Sequence, residues 1–158
     1  MTYDKNNIFA KILRGEIPCK KIYEDEFVLA FYDINPQKKI HALVIPKGEY
    51  VNLDDFSAKA SEKEVVGLIR GIGTVAKKIG VSETIKGGGY RSLVNVGKNG
   101  GQEVPHLHFH IFGGEKVGKM VSWYNIFYKS FSLGILNKLL LISWLIFRFL
   151  IIKLTSFE

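Results

Sequence analysis

His106-Leu107-His108-Phe109-His110-Ile111-Phe112 is the stretch whose reading decides the fold. Successive side chains of an extended strand point to opposite faces. His106, His108 and His110 therefore share one face. Leu107, Phe109 and Ile111 take the other, which is apolar enough to pack on a core. The chain holds 4 histidines, and placing three of them in alternate positions takes packing area away from half a strand. That pattern argues for chemistry. Two kinds fit. Three neutral ring nitrogens ligate a zinc ion that keeps water in its fourth position. Alternatively the rings act on a phosphate, one as nucleophile and the others as proton donors and charge partners.

The flanking residues bear on that choice. Gln102-Glu103-Val104-Pro105 leads into the row and Gly113-Gly114 follows it. Upstream run Phe31-Tyr32-Asp33-Ile34-Asn35-Pro36-Gln37 and Ile40-His41-Ala42-Leu43-Val44-Ile45-Pro46-Lys47. Together these segments resemble the histidine triad (HIT) superfamily, whose mark is His-φ-His-φ-His-φ-φ with φ apolar. Residues 106–112 fit every position. The Asp-Ile-Asn-Pro-Gln, His-x-Leu-Val-Ile-Pro-Lys and Gly-Gln-Glu-Val segments are similar to its Hint branch of nucleotide-binding phosphoramidases. The resemblance spans residues 7–114 and stops short of the last quarter of the chain.

For the fold, the resemblance implies an α+β domain with a HIT-like, mainly antiparallel five-stranded sheet, one long and one short helix, and a homodimer. For activity, it implies hydrolysis of the P–N bond of purine nucleoside phosphoramidates through a nucleotidyl-histidine, with no cofactor. His108, at the centre of the row, attacks the α-phosphorus; a neutral imidazole is a competent nucleophile near pH 7. His110 bonds a non-bridging phosphate oxygen and His106 orients its neighbours. His41 matches the fourth histidine of the family. Ile8, Phe9, Ile12, Phe31 and Ile34 match positions around the base. Asp33 matches the acid that bonds the ribose hydroxyls, and Asn95 a phosphate- or ribose-facing amide. Gly101, Gln102, Glu103 and Val104 stand just before the triad, where N–H donors aimed at a phosphorus centre are useful. Some Hint relatives carry a small hydroxyl residue where this chain has Glu103, so leaving-group preference is open at that position.

Other functions compete. Within the superfamily, the same His108 step hydrolyses dinucleoside polyphosphates. From a different class, the chain is a nucleotide-binding regulatory module with vestigial catalysis. A zinc enzyme on His106, His108 and His110 is the outsider, because no Asp or Glu shares their strand face to complete a ligand set. No metal is expected. Nor is the structural zinc that some relatives hold through a Cys-x-x-Cys pair, because Asn7-Ile8-Phe9-Ala10 stands in its place.

Composition sets the bounds. At 158 residues with 47% hydrophobic content, a single domain with a real core is expected. The lone Cys19 excludes an internal disulfide and, with no apolar leader at the N-terminus, fits a cytoplasmic protein. Net charge is +7, of which residues 1–121 carry 18 Lys/Arg against 14 Asp/Glu. That mildly basic body suits an anionic small substrate and lacks the basic stripe with interleaved aromatics of a nucleic-acid binder.

Along the chain, Asn6 or Asn7 caps a short helix carrying Ile8, Phe9, Ile12 and Leu13, stopped by Gly15. Strands are expected over 20–24, 27–33, 40–45, 90–96 and 106–112. Ser61-Glu62-Lys63-Glu64 fits a capping box. It opens a long helix with a core-facing stripe of Val65, Leu68, Ile69, Ile72, Val75, Ala76 and Ile79, ended by Gly80. Gly67 and Gly71 weaken that helix, and close approach of another backbone is the expected gain.

Residues 1–121 form the expected HIT domain, with 122–158 as an apolar C-terminal extension. The run 131–154 tempts as a membrane span. Lys138 and Arg148 interrupt it, leaving 139–147 uncharged, too short to cross. Interfacial membrane contact is the alternative; the expectation is an extension without selected function.

Overall fold

The structure, a computed structural model, describes residues 2–119. The expected apolar extension 122–158 lies outside the described residues. In chain order the elements are α1 (Ile8–Leu13), β1 (Lys21–Glu24), β2 (Val28–Tyr32), β3 (Ile40–Pro46), α2 (Leu53–Lys59) and α3 (Glu62–Lys78). A 3-10 turn (Glu83–Ile85), β4 (Tyr90–Val94) and β5 (Phe109–Gly113) complete the set. The strands form one antiparallel sheet in the order β1-β2-β3-β5-β4. The α+β fold, the five strands and the long helix are as expected.

The sheet is covered on both faces. Val28 and Ala30 of β2, Ala42 and Val44 of β3, and Ile111 of β5 point to one side. There they pack with Leu68, Ile72, Val75 and Ala76 of α3, and with Leu107. Leu29, Phe31, Leu43 and Ile45 point to the other side, where Phe9 of α1 closes over them. Burial on both faces explains why β2 reads as an unbroken apolar run, and β3 as one broken only by His41, rather than as alternating strands. It also places the residues that alternate with the α3-facing set, His41 and His110 among them, on the α1 face.

Three expectations are corrected. First, α2 was not expected. Seven residues are too few for a periodic signal, but Asn52 caps it, its side chain accepting from Asp55 N–H at 3.0 Å, and Phe56 is buried beneath it. Second, Val65 and Ile69 do not face the core; they are 39% and 60% exposed. The buried stripe of α3 runs instead through Gly67, Leu68, Gly71, Ile72, Val75 and Ala76. A Cβ on Gly67 would stand 2.4 Å from Phe27 Cγ, and one on Gly71 would stand 2.8 Å from Val28 Cγ2. The glycines thus admit side chains entering β2, not another backbone. Third, β5 starts at Phe109 and not at His106. Phe109 pairs with Val44 and Val94, the last partners on each side. Beyond Val94, β4 has ended, and on the β3 side Pro46 offers no N–H to a ladder.

The local stops behave as the sequence indicates. Asn7 caps α1, and the Ser61/Glu64 capping box is present. Gly15 and Gly80 take positive φ (76° and 78°), the left-handed turn that ends each helix.

Candidate active site

The three triad histidines enter one corner of the fold, but they do not share one environment. His106 is fully buried. Its Nε2–H donates to the Pro46 carbonyl at 3.0 Å, meeting the acceptor that the sheet leaves open there. His108 follows, and its Nδ1–H donates to the His106 carbonyl at 2.7 Å. A carbonyl only accepts, so the proton of the neutral His108 ring sits on Nδ1 and Nε2 keeps a bare lone pair. His110 lies on β5 and stacks on Phe112, ring centroids 5.6 Å apart and 4° from parallel.

His41 reaches the same corner from β3. Its Nε2 lies 3.3 Å from Asp33 Oδ2 and 2.9 Å from His110 Nδ1. A carboxylate only accepts, so His41 Nε2 carries the proton and His110 Nδ1 receives part of it. The neutral His110 ring is then left with Nε2–H as its free donor. The two rings nearest the pocket therefore differ: His108 presents a lone pair and His110 a hydrogen-bond donor.

Burial keeps the cluster uncharged. It lowers His106 and His110 to about 4, with neighbouring His108 adding to the effect in each, and it lowers His108 and His41 as well. The Asp33 carboxylate opposes the shift at His41, and with the Glu103 carboxylate it does so at His108. All four rings are neutral at pH 7.

A cavity of about 510 Å³ opens against these groups. That volume is ample for a mononucleotide-sized ligand. Its walls include Ile8, Phe9, Ile12, Phe31, Asp33, Ile34, His41, Asn95, Gly101, Glu103, Val104, His108 and His110. Phe9 sets its ring edge-on to His108 at 5.2 Å. Ile34 is 91% exposed at the rim, an apolar side chain with no core to serve. Asp33 has two jobs. Oδ1 accepts Asn35 N–H at 2.8 Å, the turn-capping role, while Oδ2 faces His41 and the cavity. Asn95 Nδ2 reaches the Gly101 carbonyl at 3.5 Å.

Two expected site residues do not line the cavity. His106 is behind His108. Gln102 braces the loop instead: Nε2 donates to the Val51 and Val104 carbonyls at 2.6 and 3.0 Å, and Oε1 accepts from Gly97 N–H at 3.0 Å. Other walls went unnoticed in the sequence, namely Ile17, Pro18, Cys19, Lys20, Tyr32, Asn35, Gln37 and Leu43. Leu43 was available from period-2 spacing with His41. The segment between α1 and β1 carries no such pattern.

One grouping runs against the argument that no acid accompanies the histidines. Asp33, His41 and His110 bring three ligand-type atoms within 4.8 Å of one another. Asp33 comes from the end of β2, so inspection of the triad strand alone does not find it.

The HIT domain profile matches residues 14–117. The chain belongs to the HIT family. This HIT protein is 58% identical over 121 residues to a HIT-like protein of Azospirillum brasilense, covering 77% of this chain and 96% of that one. It is 42% identical over 118 residues to a purine nucleoside phosphoramidase of Escherichia coli, covering 75% and 95%. Among solved structures, a HIT family hydrolase from Clostridium thermocellum superposes with a TM-score of 0.66 at 35% identity, covering 75% of this chain and 99% of that one. A histidine triad protein from Clostridium difficile gives 0.64 at 41% identity, covering 76% and 100%.

Proposed function

We propose that this HIT protein hydrolyses the P–N bond of purine nucleoside phosphoramidates through a nucleotidyl intermediate on His108. The observation that carries the reading is the pair of ring states: a bare Nε2 on His108 beside a donating Nε2–H on His110, both at the wall of one cavity.

In the first step the His108 Nε2 lone pair forms a bond to the α-phosphorus. The P–N bond breaks, and its electron pair leaves on the nitrogen, which takes up a proton. Water at this exposed side of the cavity, beside Glu103, delivers that proton. The resulting His108 ring is cationic, and the His106 carbonyl that accepts Nδ1–H stabilises the charge as it forms. His110 Nε2–H bonds a non-bridging oxygen. In the second step water attacks phosphorus and passes a proton to the Glu103 carboxylate on the cavity wall, the P–Nε2 bond breaks and the neutral ring returns. Ile8, Phe9, Ile12, Phe31 and Ile34 clasp the base and Asp33 bonds the ribose hydroxyls. Holding the nucleotide this way turns each attack into a step within one complex.

A second reading draws on Asp33, His41 and His110, a two-histidine, one-carboxylate set that suits zinc. One assay separates these from dinucleoside polyphosphate hydrolysis: turnover of adenosine 5′-phosphoramidate and of diadenosine polyphosphates, with and without chelator. Preferred, chelator-insensitive turnover of the phosphoramidate is expected. Activity lost to chelator and restored by zinc overturns the metal-free mechanism.

The unit that acts is a homodimer in this proposal. Val65, Val66 and Ile69 leave an apolar face on α3, and Tyr90 stands exposed on the edge strand β4. A second copy of the chain covers both.

A further inference from the structure

Tyr3 meets the first histidine of the triad from 103 residues away in the chain. Its hydroxyl is bonded to His106 Nδ1, and its ring sets against the imidazole edge to face at 5.5 Å and 67°. The protons follow from the other partners. His106 Nε2 faces the Pro46 carbonyl, which only accepts, so Nε2 carries the proton of the neutral ring. Nδ1 is then a lone pair, and the Tyr3 hydroxyl is its donor. The carbonyl of this same residue, in turn, accepts Nδ1–H of His108. Two series of bonds thus meet at His106: hydroxyl to imidazole to the Pro46 carbonyl through its ring, and the His108 imidazole into its backbone carbonyl. A ring held at both nitrogens fixes the residue whose carbonyl orients His108.

The segment holding Tyr3 is built rather than loose. The Asp4 carbonyl accepts Asn7 N–H and Nδ2–H at 3.2 and 2.7 Å. The Lys5 carbonyl accepts Arg14 Nη1–H at 2.8 Å, and Lys5 Nζ pairs with Glu49 at 3.4 Å. Burial raises the Tyr3 phenol above its ordinary value, so it remains a donor through the neutral range. A ring that only filled space would need no hydroxyl aimed at the one open nitrogen of a fully buried imidazole.

The geometry points to Tyr3 as a positioning residue for nucleotidyl transfer: its hydroxyl fixes the His106 tautomer, and through the His106 carbonyl it holds His108 with Nε2 free to attack. Tyr3 lies outside the residues that match the HIT domain. The inference rests on the phosphoramidase reading for its kinetic consequence, but not for its spectroscopic one.

The test uses the full chain labelled with 15N-histidine, as wild type and as Tyr3→Phe, which keeps the ring. In wild type, His106 is expected as the Nε2–H tautomer with Nδ1 shifted as a bonded acceptor, and His108 as the Nδ1–H tautomer. In Tyr3→Phe, His106 Nδ1 moves to the position of an unbonded nitrogen and His108 shows a tautomer mixture. The kcat for adenosine 5′-phosphoramidate falls about five- to tenfold, the weight of one lost hydrogen bond. KM stays within about twofold, since the nucleotide does not touch Tyr3. The acid limb of the kcat profile moves to higher pH, because the lost donor favoured neutral His106. Unchanged His108 signals and unchanged kcat in the variant overturn the inference. So does a wild-type His106 that carries its proton on Nδ1, a result that needs no folded variant. A wild type with no phosphoramidase turnover sinks the proposed function instead, and the ring signals then decide the role of Tyr3 by themselves.

Discussion

At the scale of single residues, the site is an arrangement of protons. His108→Gly removes the proposed nucleophile while leaving its neighbours in place. Turnover of adenosine 5′-phosphoramidate is expected to fall on the order of 10³-fold or more, with AMP binding by calorimetry retained. Wild type quenched in base during turnover carries nucleotide on His108. Asp33→Ala weakens AMP on the order of tenfold, the loss of hydrogen bonds to a charged group. It weakens 2′-deoxy-AMP less, and equal losses remove Asp33 from sugar recognition. His106 supplies a pH signature. Its ring is held to about 4 by burial, against about 6.5 in an unfolded chain. Below pH 6.5 the unfolded chain takes up a proton that the folded chain refuses. Stability is therefore complete above that value and declines as pH falls towards 4, by on the order of 3 kcal/mol for this group alone. Urea unfolding from pH 7 to 4.5 is expected to show a shallower decline in His106→Asn than in wild type. The alternating histidines announce this chemistry in the sequence, and the apolar alternate positions locate its face. Which nitrogen carries each proton does not show there, because Pro46, Asp33 and Tyr3 set it from distant parts of the chain.

At the scale of elements, α3 separates what patterning reveals from what packing adds. The capping box and the Gly80 stop are local, since each is a bond or a turn between near neighbours, and both are where the sequence puts them. The buried face is not local. Apolar spacing suggests Val65 and Ile69, yet the sheet takes the side marked by Gly67 and Gly71, because only there can Phe27 and Val28 come close. A glycine adds nothing to an apolar count, so a stripe made partly of glycine is misplaced by it. Gly67→Ala is expected to lower stability by about 1–3 kcal/mol, since overpacking against the Phe27 Cβ and Cγ outweighs better helix propensity. Gly73 is the control. Nothing lies within 4 Å of a Cβ built there, so Gly73→Ala raises stability by up to about 1 kcal/mol. Thermal unfolding of the two variants side by side reads both signs, and equal behaviour contradicts the packing account.

At the scale of the whole molecule, a surface and a segment remain to be explained, the apolar face of α3 and the sequence of residues 122–158. Ile69→Glu puts a charge at the centre of the first. Sedimentation is expected to change from dimer to monomer at micromolar concentration, whereas a monomeric wild type refutes the assembly. For the extension, every residue assigned to the site precedes β5 or lies within it, and β5 closes at Gly113. Just beyond, Glu115 accepts Lys39 N–H at 3.1 Å and stands 3.9 Å from Lys38 Nζ, so the chain is tied to the start of β3 up to that point. The compact unit that holds the site is Met1–Val117. A chain ending at Val121 is therefore expected to fold, to dimerise and to keep kcat for adenosine 5′-phosphoramidate within about twofold of the full chain. It is also expected to be more soluble, because residues 139–147 form an uncharged apolar run that is costly to leave in water. Flotation with anionic liposomes accompanies the kinetics. A truncated chain that unfolds would make the extension part of the core. Flotation of the full chain alone would make it a membrane-binding segment, and a change in amine preference without loss of kcat would place it beside the leaving group.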